Sequence, residues 1–279
     1  MNLSLRKFVG GTDMRRSAPA MLKRFVGRLA MVAVVALSLL SVNSAHAELL
    51  AGWDFQTTND GGTAVAASPA TPKVYVANVG DGTLYLDGTQ GSSNWLQASE
   101  LSAFTGTNVN ATNGLSSITT SPAALAVLGG TSNAANGKSM VFKFDMTGLK
   151  DLAVTFSAQR TGTGFASQVW ETSTNGTSWS SWGSFVGGTT AGTIRDSFAN
   201  TGILSLATTS ALDNAAAAYV RVTFTGATSA SGNNRLDNFQ FDAVAVPEPS
   251  TLGLAAAGVA LAGLGAWKRR RAGSPVQAG

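Results

Sequence analysis

The chain has 279 residues, of which 44% are hydrophobic and 12% charged, with one His, no Cys and a formal net charge of +4. The basic excess belongs to the ends. Seven of the 19 Lys and Arg precede residue 48 and four lie at 268–271, so eight remain between 48 and 246 against 13 acidic residues, a net charge near −5. That sign removes the electrostatic basis for nucleic-acid binding. The missing cysteines exclude a disulfide framework. With His46 as the only histidine, the body also lacks the residues for Ser-His-Asp or Cys-His catalysis and the usual zinc and copper ligands.

In chain order, the first feature is a basic segment, RRSAPAMLKRFVGR at 15–28, followed by the apolar run LAMVAVVALSLL at 29–40 and the exit SVNSAHA ending at Ala47. No acidic residue lies between Arg15 and Ala47. The apolar run is too short to span the ~30 Å hydrocarbon core of a bilayer. A basic region, a short apolar segment and a small-x-small exit predict a secretory signal peptide over residues 1–47. Ala45 and Ala47 supply the small side chains that signal peptidase requires, placing cleavage between Ala47 and Glu48.

Residues 48–245 are long enough for one domain with its own core. Period-two alternation predicts strands in LLAGWDF, TLYLDG, KSMVFKFDM, DLAVTFSAQR, AYVRVTFTG and NRLDNFQFDAV. Met140, Phe142 and Phe144 share a face, as do Leu152, Val154 and Phe156, and Val220, Val222 and Phe224; the last strand offers Leu236, Phe239 and Phe241. FASQVWETSTNGTSWSSWGSF predicts a hairpin about Asn175-Gly176. Residues 103–136 are poor in large apolar side chains and predict long loops with one or two strands. No segment inside the domain sustains a helical period. Many short strands with turn-rich joints predict an all-β, jelly-roll-like β-sandwich.

GWDF, SAQRTGTGF, STNGTSW and the closing NNRLDNFQFDA resemble the galactose-binding-like jelly rolls of carbohydrate-binding modules and secreted bacterial proteins. The resemblance implies that the first and last strands lie together and that an acidic residue from each, here Asp54 and Asp237, holds a structural Ca2+. Calcium takes 6–8 oxygen ligands, so carbonyls and water would complete the shell. Candidate ligand-binding residues are Trp170, Trp179 and Trp182, which surround the predicted hairpin, and Arg160. Flat aromatic faces stack on sugar rings, and Trp170 shares its parity with Gln168, Thr172 and Thr174, which predicts a wet face. Glycoside hydrolysis needs only two suitably spaced carboxylates; Asp87, Glu100, Asp145, Glu171, Asp196 and Asp213 are available, and no spacing selects a pair. The threonines follow no fixed period, which argues against a flat ice-binding face.

The tail reads VPEPSTLGLAAAGVALAGLGAWKRRRAG. Leu252 to Trp267 is sixteen uncharged residues, a length that as a helix reaches ~24 Å, marginal for a membrane span. Lys268 to Arg271 would remain cytoplasmic under the positive-inside rule. Pro247-Glu248-Pro249, an apolar helix at 252–267 and the cluster Arg269, Arg270 and Arg271 together resemble the PEP-CTERM sorting signal, here 246–271 with a cytoplasmic tail at 272–279. The resemblance implies recognition by an exosortase of a Gram-negative bacterium and a transient membrane helix, followed by release to the cell surface or extracellular polysaccharide matrix. The catalytic set is expected to be empty. The expected role is a non-catalytic surface protein, carbohydrate-binding in its sharper form and structural in its plainer one. The alternative is a carboxylate-based polysaccharide hydrolase or lyase.

Overall fold

Alternating apolar residues become strands throughout the body. The computed structural model describes residues 46–56, 74–96, 99–120 and 123–246, the backbone of two further short strands, and positions 258, 261 and 263. In chain order the strands are β1 (Ala47–Trp53), β2 (Thr58–Asn59), β3 (Thr63–Ala64), β4 (Val74–Val76), β5 (Val79–Gly80), β6 (Thr83–Tyr85), β7 (Leu101–Phe104) and β8 (Ala124–Leu128). They continue with β9 (Ser139–Phe144), β10 (Leu149–Arg160), β11 (Ser167–Ser173), β12 (Ser180–Val186), β13 (Ile203–Thr209), β14 (Ala218–Thr225) and β15 (Asn233–Ala245). One short helix, α1 (Phe198–Thr201), precedes β13.

Two antiparallel sheets face each other as a β-sandwich. One runs β13-β10-β15-β1-β5, with β8 beside the first half of β15 and β7 beside β8; the other runs β12-β11-β14-β9-β6-β4. The 13-residue β15 organises the first sheet, pairing β10 along one side and β8 then β1 along the other. First and last strands therefore lie together, with Trp53 opposite Phe239.

The inner faces interlock through aromatic rings. β1, β10 and β15 send in Trp53, Phe156, Phe239 and Phe241, and the opposite sheet sends in Phe142, Phe144, Trp170 and Phe224. Phe142 sits 5.1 Å from Trp53 and 4.8 Å from Phe241, and Phe156 sits 5.0 Å from Phe239. Such offset and edge-on contacts suit ring quadrupoles and bury large apolar area.

A bulge in β15 explains its sequence. Thr155 pairs Gln240 while Ser157 pairs Asp237, so β15 carries one extra residue there, and Asn238 takes a positive φ of 49°. The extra residue lets Leu236 and Phe239, three apart, both point inward. It also turns Asp237 and Asn238 together toward the segment 105–118, which covers the outer face of this sheet. Thr107 N donates to Asp237 Oδ2 at 2.8 Å, and Asn238 Nδ2 donates to the carbonyls of Thr107 and Val109. Gln240 Nε2 donates to the Asn110 carbonyl and Ser157 Oγ to the Val109 carbonyl. The apolar-poor stretch is thus two strands and a loop fastened by polar side chains.

Residues Ala45–Val246 form one compact unit. Ala45, the sorting residues Pro247, Glu248, Pro249, Arg269, Arg270 and Arg271, and most of the expected span 252–267 lie outside the described residues. Positions 258, 261 and 263 are helical. Among the described residues no helix is long and apolar enough to cross a membrane.

Candidate functional site

The three hairpin tryptophans do not form an exposed platform. Trp170 is fully buried, 5.1 Å from Phe156 and stacked at 6.4 Å on Phe142. Its parity partners Gln168 and Thr172 are buried with it, so the face that looks wet from composition is the core face. Trp182 sits at a bulge in β12, edge-on to Trp170 at 6.5 Å, and its Nε1 donates to the Ala207 carbonyl of β13 at 2.8 Å. It bridges the edge strands of the two sheets and seals the sandwich. Trp179 lies in the connection between β11 and β12, where the Arg221 guanidinium stacks 4.2 Å above its ring. Arg221 is also paired to Glu171.

The connection spans 174–179, longer than a two-residue turn. Asn175 Oδ1 accepts from the amides of Thr177 and Ser178, and Ser173 Oγ from those of Asn175 and Gly176. These side chains take over the turn bonds that a tight hairpin leaves to backbone.

Of the candidate ligand-binding residues, Arg160 lines a cleft, and Asp196 of the candidate carboxylates lines it too. The cleft, about 190 Å³, opens where β10 and β12 end and is lined by Arg160, Thr161, Gly188, Thr189, Arg195 and Asp196 among others. The chain after β12 is folded back by hydrogen bonds from Ile194 N to the Val186 carbonyl and from Gly188 N to the Ile194 carbonyl. Ile194 is fully buried and anchors this loop. Arg195 follows it, its amide donating to Thr201 Oγ1 and its carbonyl accepting from Arg160 N at 2.8 Å. Ser197 Oγ caps α1 by accepting from Asn200 N. Arg160 lies across Gly187, where a Cβ would come within 2.5 Å of Nη1; a side chain at 187 would displace the guanidinium. Arg160 Nη2 donates to the Gly162 and Gly164 carbonyls, each at 3.1 Å. Asp196 accepts from Asn200 Nδ2 at 2.9 Å, which with the Arg195 charge holds its carboxyl below the usual range.

Arg195 had no signal in the sequence, since it precedes no alternating run and repeats no motif. Asp196 was legible only as one carboxylate among many. The others have structural partners: Asp87 and Asp145 cap turns at Thr89 and Thr147, Glu100 pairs Lys138, Glu171 pairs Arg221, and Asp213 accepts from Asp151 N.

Asp54 and Asp237 are both brought to the buried seam between β1, β15 and the covering segment, at 1% and 0% exposure. Asp54 accepts from the amides of Gln56 and Ser116, and Asp237 from those of Thr107 and Asn238. Burial first, and the nearby Asp54 charge second among the raising influences, push the Asp237 carboxyl up to about 8 against the hydrogen bonds from Thr107, Asn238 and Gln56. The donor chemistry fits calcium: two carboxylates, and Asn238 Oδ1, a buried acceptor with no protein donor. Among the described residues no group of three or more His, Cys, Asp or Glu is assembled, so carbonyls and water would supply the remaining oxygens.

Several solved structures are similar at low identity. The K2 cleaved adhesin domain of Lys-gingipain is 10% identical with a TM-score of 0.35, covering 71% of this chain and 97% of its own. The K1 cleaved adhesin domain of Lys-gingipain from Porphyromonas gingivalis W83 is 9% identical with a TM-score of 0.32, covering 52% and 83%. TmCBM61, solved with beta-1,4-galactotriose, is 9% identical with a TM-score of 0.29, covering 44% and 72%. No curated protein matches the chain. Residues 245–271 match the PEP-CTERM protein-sorting motif, so the chain ends in a sorting signal that marks it for export to the cell envelope.

Proposed function

We propose that this is an exosortase-processed protein of the cell surface or extracellular matrix of a Gram-negative bacterium, whose sandwich binds carbohydrate without cleaving it. The observation that supports binding is the cleft at the ends of β10 and β12. Two arginines offer N–H donors, Asp196 offers an ionised acceptor, and Thr189 adds a hydroxyl. Sugar hydroxyls pair with such alternating donors and acceptors. Hydrolysis asks for two carboxylates about 5–9.5 Å apart, and Asp196 is the single carboxylate lining this cleft. A Ca2+ held by Asp54 and Asp237 would be structural, pinning β1 and the covering segment to β15.

The test is retention of the purified full chain on the producer's extracellular polysaccharide, in calcium and in chelator, with the eluate sized for shortened saccharide. Retention with intact polymer is expected. Shortened saccharide would overturn the non-catalytic reading, and absence of retention would leave a structural surface protein. Retention in calcium alone would tie the metal to binding. For sorting, replacing Arg269, Arg270 and Arg271 by Gln is expected to keep the unprocessed chain in the membrane fraction. Unchanged surface delivery would overturn the exosortase assignment.

A further inference from the structure

We infer that the Arg160–Arg195 cleft takes the carboxylate of an acidic sugar, a uronate-type residue of a polysaccharide. This rests on the carbohydrate reading above and narrows it to anionic glycans.

Free donor capacity is the first argument. Arg160 commits Nη2 to the Gly162 and Gly164 carbonyls, and Arg195 commits Nη1 to the Asn200 carbonyl. Arg160 Nη1 and Arg195 Nη2 make no hydrogen bond among the described residues, and both Nε atoms are buried without a partner. Each guanidinium in the cleft thus keeps one terminal nitrogen, Arg160 Nη1 and Arg195 Nη2, uncommitted.

Charge is the second. The ion pairs among the described residues are Lys138–Glu100, Lys150–Asp151 and Arg221–Glu171, and neither cleft arginine belongs to one. The cleft sets two arginines against one carboxylate, Asp196, and so carries a net positive charge. An arriving carboxylate balances that charge and can accept from both arginines at once, from Arg160 Nη1 and from Arg195 Nη2.

Positioning is the third. The 2.8 Å backbone bond from Arg160 N to the Arg195 carbonyl ties the two residues together, and Gly187 and Thr201 fix their surroundings. Little ordering remains to be done on binding.

Asp196 selects among anions. Its ionised carboxylate repels a bare anion such as sulfate and accepts from hydroxyl donors. A uronate carries the carboxylate and the hydroxyls on one ring. The volume, about 190 Å³, is below the ~300–1,000 Å³ of pockets for drug-sized ligands and suits one sugar ring. No tryptophan lines the cleft, so affinity rests on charge and falls steeply with salt.

The test is isothermal titration of the full chain, in mild detergent, with three probes: trigalacturonate, the same trisaccharide with its carboxylates reduced to alcohols, and sodium sulfate. Trigalacturonate is expected to bind, with the reduced sugar about tenfold weaker or worse. Arg195→Gln should weaken trigalacturonate by about tenfold or more with an unchanged thermal midpoint. Asp196→Asn should also weaken it, although it removes a negative charge. Equal binding of the reduced sugar overturns the acidic-sugar inference while the carbohydrate reading stands. No binding of either sugar overturns the acidic-sugar inference, and retention on the producer's polysaccharide then decides the carbohydrate reading. Sulfate competing on equal terms, with Asp196→Asn strengthening it, marks a plain anion site and overturns the inference.

Discussion

Asp237 makes a prediction whose sign is unusual for a carboxylate. Its pKa is about 8 in the folded protein, against an ordinary 3.8. Between those values the folded chain holds a proton that the unfolded chain has released, so stability is full below the ordinary value and falls as pH rises toward 8. The slope is about 1.4 kcal/mol per pH unit for one proton, which accumulates to about 4 kcal/mol from pH 5 to pH 8. That is a large part of the ~5–15 kcal/mol stability of an ordinary domain.

The perturbation is Asp237→Asn. The amide keeps one acceptor oxygen, so either Thr107 N or Asn238 N loses its partner, at a cost of about 1–3 kcal/mol. The variant should therefore be the less stable form near pH 5 and draw level with the parent, or pass it, near pH 8. Asp242, raised by burial, and Asp145 and Asp196, lowered chiefly by side-chain hydrogen bonds from Thr147 and Asn200, titrate alike in both proteins and cancel in the difference. The assay is thermal unfolding of the full chain in chelator across this pH range, followed by fluorescence of the buried Trp53, Trp95 and Trp170. The gap between variant and parent should move by roughly 10 °C. A bound cation displaces the proton, so added calcium should flatten the parent's profile and leave the variant's unchanged. A gap that stays constant with pH in chelator would refute the reasoning about burial.

The remaining predictions concern packing. Trp170→Ala should cost about 3–5 kcal/mol in denaturant unfolding and leave sugar affinity per folded molecule unchanged; lost affinity at intact stability would return Trp170 to the ligand. Gln168 is fully buried with neither amide atom partnered, so Gln168→Met should raise the thermal midpoint by a few degrees, the relief of about 1 kcal/mol or more; a lower midpoint would mean the amide is satisfied in solution. Glu100 is 1% exposed, pairs Lys138 and accepts from Leu96 N. Glu100→Ala should cost about 3–5 kcal/mol, and Glu100→Gln, which keeps the acceptor for Leu96 N, clearly less; equal losses would show that the charge pair with Lys138 carries the whole effect and the hydrogen bond from Leu96 N adds little.

The strands were legible because alternation records which side chain faces the core, and it did so for Phe142 and Phe144, Val154 and Phe156, and Val220, Val222 and Phe224. The last strand shows how far composition reaches. Leu236, Phe239 and Phe241 break strict alternation, and their spacing already demands the bulge that Asn238 supplies. β8 was harder, since ALAVL is buried on both faces beneath neighbouring chain and carries no polar phase to read.

The site was less legible because parity assigns a face but not its direction. Gln168 and Thr172 beside Trp170 look like solvent residues, and the opposite face of β11 carries Glu171 with the half-exposed Val169. Both faces thus mix polar and apolar residues, and only the facing sheet decides which is inside. Phe142 and Phe156 decide it by closing on Trp170. The arginine cleft is hidden for a different reason. Arg160 and Arg195 are 35 positions apart in sequence and meet through one backbone hydrogen bond and a buried isoleucine. Neither contact has a composition or a period. What composition did hold was a set of carboxylates, most of which prove to be matched to turns or to basic partners. The cleft, by contrast, sets two arginines against the single carboxylate of Asp196, a local excess of positive charge that suits a ligand bringing its own carboxylate.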